Sequence, residues 1–124
     1  MKYIISLCLL IISHSLTAQL PDAVYMPNIQ TVQLYLNDNQ LAYPVLSLNG
    51  GDKLNLDFDD LDANVKNYYY TYQLCNADWT PVQISSFDYI RGFAQNPIRD
   101  YHYSSIALTR YTHYHVVLPE QGSV

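Results

Sequence analysis

Short runs of alternating apolar and polar residues, each closed by turn residues, limit the fold of this chain more than any other feature. They include "TVQLYLN" (31–37), "LAYPVLSLN" (41–49) and "KLNLDF" (53–58). A period of two is typical of strands with one buried face. No ten-residue segment shows a helical period. The pattern therefore predicts an all-β fold, an immunoglobulin-like or fibronectin-like antiparallel sandwich.

Turn and breaker residues refine this prediction. Gly50-Gly51 follows the run at 41–49, and glycine readily adopts the positive φ of a tight hairpin. Pro44 lacks an N–H group for a ladder, so this run predicts an edge strand or a bulge. Alternation returns in "SIALTRYTHYHVVLP" (105–119), and it predicts a bend in this segment or two strands that meet near 109–111.

The N-terminus has the pattern of an export signal. Met1-Lys2 starts the chain, an apolar run extends from 3 to 12, and small residues end at Ala18. This order predicts a signal peptide over 1–18 and a single domain over 19–124. The apolar run of about ten residues is too short to cross a bilayer, so we expect an exported protein without a transmembrane segment.

Charge and cysteine content exclude several classes of partner. Six basic residues against eleven acidic ones give a net charge of −5. Nucleic acid and anionic lipid both need a basic surface, so neither is expected as a partner. After the leader, Cys75 is the only cysteine, which leaves no internal disulfide and predicts a small buried hydrophobic residue.

The segment "KNYYYTYQLCNADWTP" (66–81) is the richest in aromatic residues. With a period of two, alternate residues from Tyr68 onward share the less polar face, and Trp79 follows a turn from which it could cap the sheet. Large aromatic rings can supply most of a small core. The predicted structural core residues of this segment are Tyr70, Tyr72, Leu74 and Trp79.

The next segment, 82–103, has no steady period, and so long a connection is usually functional or holds short structure of its own. It contains arginines among aromatic residues, the types enriched in the cores of protein interfaces. An alternative is that the arginines pair with Asp88 and Asp100 on the surface. The predicted partner-binding residues are Phe87, Tyr89, Arg91, Phe93, Arg99 and Tyr101.

Two polar clusters suggest metal sites. The acidic stretch 57–64 could bind calcium, but it lacks the EF-hand spacing, and a solvated turn is the favoured interpretation. His102, His113 and His115 could bind zinc, or form the outward face of a strand. No nucleophile elbow, phosphate loop or paired glutamates occur. We therefore predict no enzyme activity, cofactor or metal.

Three long motifs carry a resemblance to a known family: "YYYTYQLCNADW", "FDYIRGF" and "SSIALTRYTHY". From about Tyr25 to Pro119 the chain closely resembles the N-terminal domain of the type IX secretion system plug proteins of Bacteroidota. The resemblance implies a periplasmic protein that binds the outer-membrane translocon barrel and keeps it closed. The family gives no residue-level contacts that can be transferred to this sequence.

One departure from the family concerns length. Its members carry further β-rich domains, whereas this chain ends shortly after a predicted strand, so we expect a fragment whose sandwich lacks its last strand. Two other functions stay open from the residues alone. One is a periplasmic sandwich module that binds glycan or peptide, and the other is a metal-dependent enzyme built on the three histidines.

Overall fold

The computed structural model describes residues 22–47 and 50–119. The predicted signal peptide, 1–18, lies outside the described residues. Within these ranges the secondary structure is six β-strands and one short 3-10 helix, with no α-helix, which confirms the all-β prediction. The strands are β1 (Ile29–Leu36), β2 (Leu54–Asp60), β3 (Tyr69–Tyr70), β4 (Asn96–Pro97), β5 (Asp100–Tyr103) and β6 (Thr112–Leu118), and the 3-10 helix is Ser86–Asp88.

Four strands form one antiparallel sheet in the order β1-β2-β6-β5. The central pair, β2 and β6, is in register from Leu54–Leu118 to Asp60–Thr112. Alternation predicted β1, β2 and β6 because one face of each carries apolar residues. The register between β1 and β2 shifts between Gln30 and Gln33, where Thr31 has a φ of 56° and forms a bulge.

The hydrophobic core lies on one face of this sheet, against the short β3–β4 pair. Phe58 of β2 stacks on the fully buried Tyr114 of β6 at 5.1 Å, and Tyr68 meets both rings edge-on. Val116 of β6, Tyr70 of β3 and Ile98, the residue that follows β4, complete the buried cluster. Two antiparallel sheets that share a core are consistent with an immunoglobulin-like sandwich.

The tyrosine-rich segment forms less strand than its sequence predicts. Within it β3 pairs with β4, and Cys75 and Pro81 form one isolated antiparallel bridge. Tyr70 is buried and Tyr72 is partly buried against the core, whereas Leu74 is 41% exposed and Trp79 is 57% exposed. The expectation that Leu74 and Trp79 belong to the core is therefore wrong, because the chain leaves the sheet after Tyr70. Cys75 is half-buried rather than enclosed.

Two other predicted strands are loops. In the run 41–49, the described residues 41–47 make local turn bonds, such as Ala42 N–H to the Asn39 carbonyl at 2.9 Å, and β1 pairs with β2 instead. The hairpin predicted at Gly50-Gly51 is therefore wrong. Residues 104–111 form the β5–β6 loop, in which Ile106 and Leu108 are exposed. Whether these segments form strands depends on the hydrogen bonds of their backbone groups and not on their apolar content.

Candidate functional site

The segment 86–95, between β3 and β4, exposes large aromatic side chains. A single 3-10 turn begins it, in which the Asp88 N–H donates to the Ser85 carbonyl at 3.0 Å and the Tyr89 N–H to the Ser86 carbonyl at 3.3 Å. Gly92 then takes a φ of 98°, a left-handed conformation that glycine adopts without strain. Phe87 is 87% exposed and Phe93 is 81% exposed on either side of this turn. The segment therefore presents rings to solvent instead of burying them.

The arginines of this region have no charged partner in the part of the chain that the structure describes. Arg91 and Arg99 are exposed, and neither forms an ion pair with a described residue. The alternative in which they pair with Asp88 and Asp100 is therefore not what the structure shows. An exposed guanidinium beside an exposed ring is available to bond and stack with a partner.

The other two predicted partner-binding residues, Tyr89 and Tyr101, are less exposed to solvent. Tyr89 is half-buried after the 3-10 turn. Tyr101 lies on β5, is 40% exposed, and its ring is 5.8 Å from the ring of Tyr114. Tyr101 thus combines contact with the core and partial exposure. It lines a different depression from Phe93, and the two depressions have Arg99 and Pro97 in common.

One cleft brings part of the predicted set together. It has a volume of about 440 Å³ and lies where β4 turns toward β5, beside the C-terminal half of β6. Phe93 and Arg99 line it together with Val116 and Val117 of β6. Sequence reasoning missed the contribution of β6, because no local pattern shows which strand end lies beside the loop.

The face of the large sheet opposite the core is polar. Asp57 of β2 accepts hydrogen bonds from the Tyr35 hydroxyl at 2.6 Å and from Nδ1 of His115, and Asp59 Oδ1 lies 2.7 Å from Nδ1 of His113. Burial alone would raise the pKa of Asp57, but these bonds lower it below its usual value. Asp57 in turn raises the pKa of Tyr35. These contacts stabilise the sheet.

This network does not have the arrangement of a metal site. His113 and His115 share one face, as predicted, and the His102 ring is 4.7 Å from that of His113. Within 22–47 and 50–119, however, no group of three or more candidate ligands is placed to hold a metal. The interpretation of the acidic stretch as a solvated turn is wrong, because Asp57, Asp59 and Asp60 belong to β2.

Asp60 ends β2 in a buried cluster of hydrogen bonds. It accepts bonds from the Asn28 amide at 2.8 Å, the Asp62 N–H at 3.0 Å and the Tyr68 hydroxyl at 2.8 Å, and Lys66 Nζ lies 3.0 Å away. Burial raises the pKa of Asp60, but these donors outweigh that effect and lower the pKa to about 2. The cluster joins Asn28, which directly precedes β1, to the end of β2 and the start of the tyrosine segment.

Comparison with known protein families shows to which family the chain belongs. The family model described as the first domain of type 9 secretion system plug proteins matches residues 29–124. The chain belongs to this family. The match covers all six strands of the described residues and the whole segment that exposes Phe87 and Phe93.

A solved structure shares the fold of this plug domain. The crystal structure of a hypothetical protein from Parabacteroides merdae ATCC 43184 matches with a TM-score of 0.74 and 31% sequence identity. The match covers 77% of the present chain and 24% of that protein, so the plug domain spans about a quarter of its length. A comparison with curated proteins finds no match. None of the helices in the described residues is long and apolar enough to cross a membrane.

Proposed function

We propose that this plug domain is a non-catalytic periplasmic subunit that binds the periplasmic opening of the type IX secretion translocon barrel and keeps it closed. The observation that carries the proposal is the segment 87–101 in a member of the plug family: it combines exposed Phe87 and Phe93 with exposed Arg91 and Arg99, which form no ion pair within 22–47 and 50–119. A wide channel leaks unless a folded body covers its opening.

The chemistry of the segment suits a protein partner. Exposed apolar patches on soluble domains mark interaction sites, and aromatic residues and arginine provide most hot spots. The net charge of −5 argues against nucleic acid or an anionic membrane surface as the partner. Tyr89 and Tyr101 would form the less exposed rim of this interface.

The experiment separates barrel binding from ligand binding. The tagged protein is expressed from its own gene, recovered from envelope extract under mild detergent, and its companions are identified by mass spectrometry. We expect the outer-membrane translocon barrel to co-purify. Deletion of the gene should also admit a large antibiotic that intact cells exclude, and the wild-type gene should restore exclusion.

Two results would contradict the proposal. Recovery of glycan or peptide without any barrel would favour a ligand-binding module. Unchanged permeability after deletion, with the barrel present, would show that the protein does not close the channel.

A further inference from the structure

We infer that the cleft beside the C-terminal half of β6 binds an extended segment of the partner protein as an added β-strand. The inference rests on the proposed function, since it names how that partner is held. Its basis is the point at which strand pairing stops: β5 and β6 pair from Tyr103–Thr112 to Asp100–His115 and no further. Beyond His115, β6 pairs only with β2 among the described residues.

Backbone geometry identifies the free hydrogen-bonding groups. The N–H and C=O of one strand residue point to the same side, and successive residues point to opposite sides. The Ser104 N–H donates to the Tyr111 carbonyl at 3.0 Å, so Tyr111 points toward β5. By alternation His113, His115 and Val117 do too. The backbone of Val117 therefore points into the cleft, where the ladder has ended.

The edge of β6 at Val117 stays unpaired among the described residues because the chain crosses from the small sheet to the large sheet just before β5. The Ile98 N–H donates to the Tyr68 carbonyl at 2.8 Å, which holds the chain on the small sheet, whereas Asp100 already pairs with His115 on the large one. Arg99 lies between these two positions, and the buried Ile98 anchors the crossing in the core. The core thus holds the segment before Asp100 away from Val117 and leaves a gap of about 440 Å³.

The side chains around the gap indicate the chemistry of the segment. Phe93, Pro97 and Val116 offer apolar contacts, and Arg99 offers a positive charge that forms no ion pair with a described residue. Asp100 also lines the cleft, which disfavours a run of acidic residues. Strand addition obtains affinity from main-chain bonds and specificity from alternate side chains. The best occupant alternates apolar residues with polar ones and carries one carboxylate for Arg99.

The test uses a backbone probe on the whole chain. The probe is a capped ten-residue peptide in which valine and phenylalanine alternate with threonine and a single glutamate. Its control has the same side chains with alternate amides N-methylated, which blocks strand pairing. We expect the first peptide to slow amide exchange at Val117 at least tenfold at saturation, and the N-methylated peptide to bind at least tenfold more weakly.

Protein variants give an independent measurement. Val117→Pro removes the outward N–H, which an open edge tolerates, and should abolish peptide binding, whereas Val117→Leu keeps the N–H and should bind. If Val117→Pro does not fold, the two peptides still decide. Equal affinity for both peptides, no binding, or protection of Val117 that depends only on protein concentration, as in self-association, would overturn the inference.

The outcomes for the cleft and for the plug can be told apart. Barrel capture that is unaffected by a folded Val117→Pro variant would overturn the cleft inference and leave the plug function standing. Peptide binding at Val117 without barrel capture would overturn the plug function and leave the strand-binding cleft standing.

Discussion

At the scale of single residues, the alternation of side chains along a strand predicts best which residues are buried. The main-chain conformation of individual residues is what the sequence predicts least well. Alternation correctly separates Tyr70, which is buried, from Tyr69, which is 57% exposed. It fails at Trp79, whose φ of 63° places it in a turn where no period applies. Alternation places Asp60 on the face of Phe58, where it is buried, but its residue type favoured a solvated turn, because the donors that compensate its burial, such as Asn28, lie far away in sequence.

The neighbouring tyrosines of β3 make a matched pair. Tyr70→Ala removes a buried ring from the cluster around Phe58 and should lower the free energy of unfolding by about 3–5 kcal/mol, because the cavity cannot fully collapse. Tyr69→Ala removes an exposed ring and should cost less than about 1 kcal/mol. Chemical denaturation of both variants measures the difference, and equal losses would contradict the assignment of the two faces.

Asp60 makes stability depend on pH in the acid range. Its pKa is about 2 in the folded protein, below the ordinary value of 3.8, so the folded state favours the ionised form. The stabilisation is fully present above about pH 4 and is lost as pH falls through the folded pKa. A shift of this size corresponds to about 2 kcal/mol. Asp60→Asn should flatten unfolding free energy against pH between 4 and 2. A slope as steep as that of wild type would show that other carboxylates cause it.

At the scale of elements, the sequence predicts a strand where alternation coincides with a partner that can complete its hydrogen bonds. β1, β2 and β6 meet both conditions. The run at 41–49 meets only the first, because Pro44 lacks a donor and local turns satisfy the described residues around it. The period of a run cannot reveal this difference, because a single run carries no information about the strand that would pair with it.

The turn at 76–80 provides a test at this scale. Hydrogen bonds between Asn76 and Thr80 close it, and Trp79 inside it has a positive φ. Trp79→Gly relieves left-handed strain of about 1–2 kcal/mol, which offsets the lost contacts of a half-exposed ring and the greater freedom of glycine in the unfolded chain. We expect an unfolding free energy within about 1 kcal/mol of wild type. A loss of 3 kcal/mol or more, about that of a core aromatic residue, would show that the ring is packed.

At the scale of the whole molecule, the fold class is readable from the sequence but the site is only partly so. Five of the six predicted partner-binding residues belong to the stretch before β5, and the lack of a period there indicated exposure. The cleft was not predictable. It forms because the chain changes sheets at Arg99 while β6 continues, and this juxtaposes residues about twenty positions apart. Such a gap is a property of tertiary structure.

The exposed residues of the proposed interface should contribute to partner binding but not to the stability of the fold. Arg91 and Phe93 are exposed, and Arg91 has no ion pair with a described residue, so Arg91→Ala and Phe93→Ala should leave the melting temperature nearly unchanged. Each should weaken capture of the translocon barrel, since interface anchors of these types contribute about 2 kcal/mol or more. Capture from envelope extract is compared with melting curves of the same variants.

Arg110→Ala and Tyr43→Ala are the matched controls, because both side chains are exposed and lie in other loops. They should keep wild-type capture, since an interface centred on 87–101 does not include them. Variants of Arg91 or Phe93 that unfold would assign these residues a structural role. Variants that fold and still capture the barrel fully would move the interface elsewhere, and loss of capture in the control variants would show where.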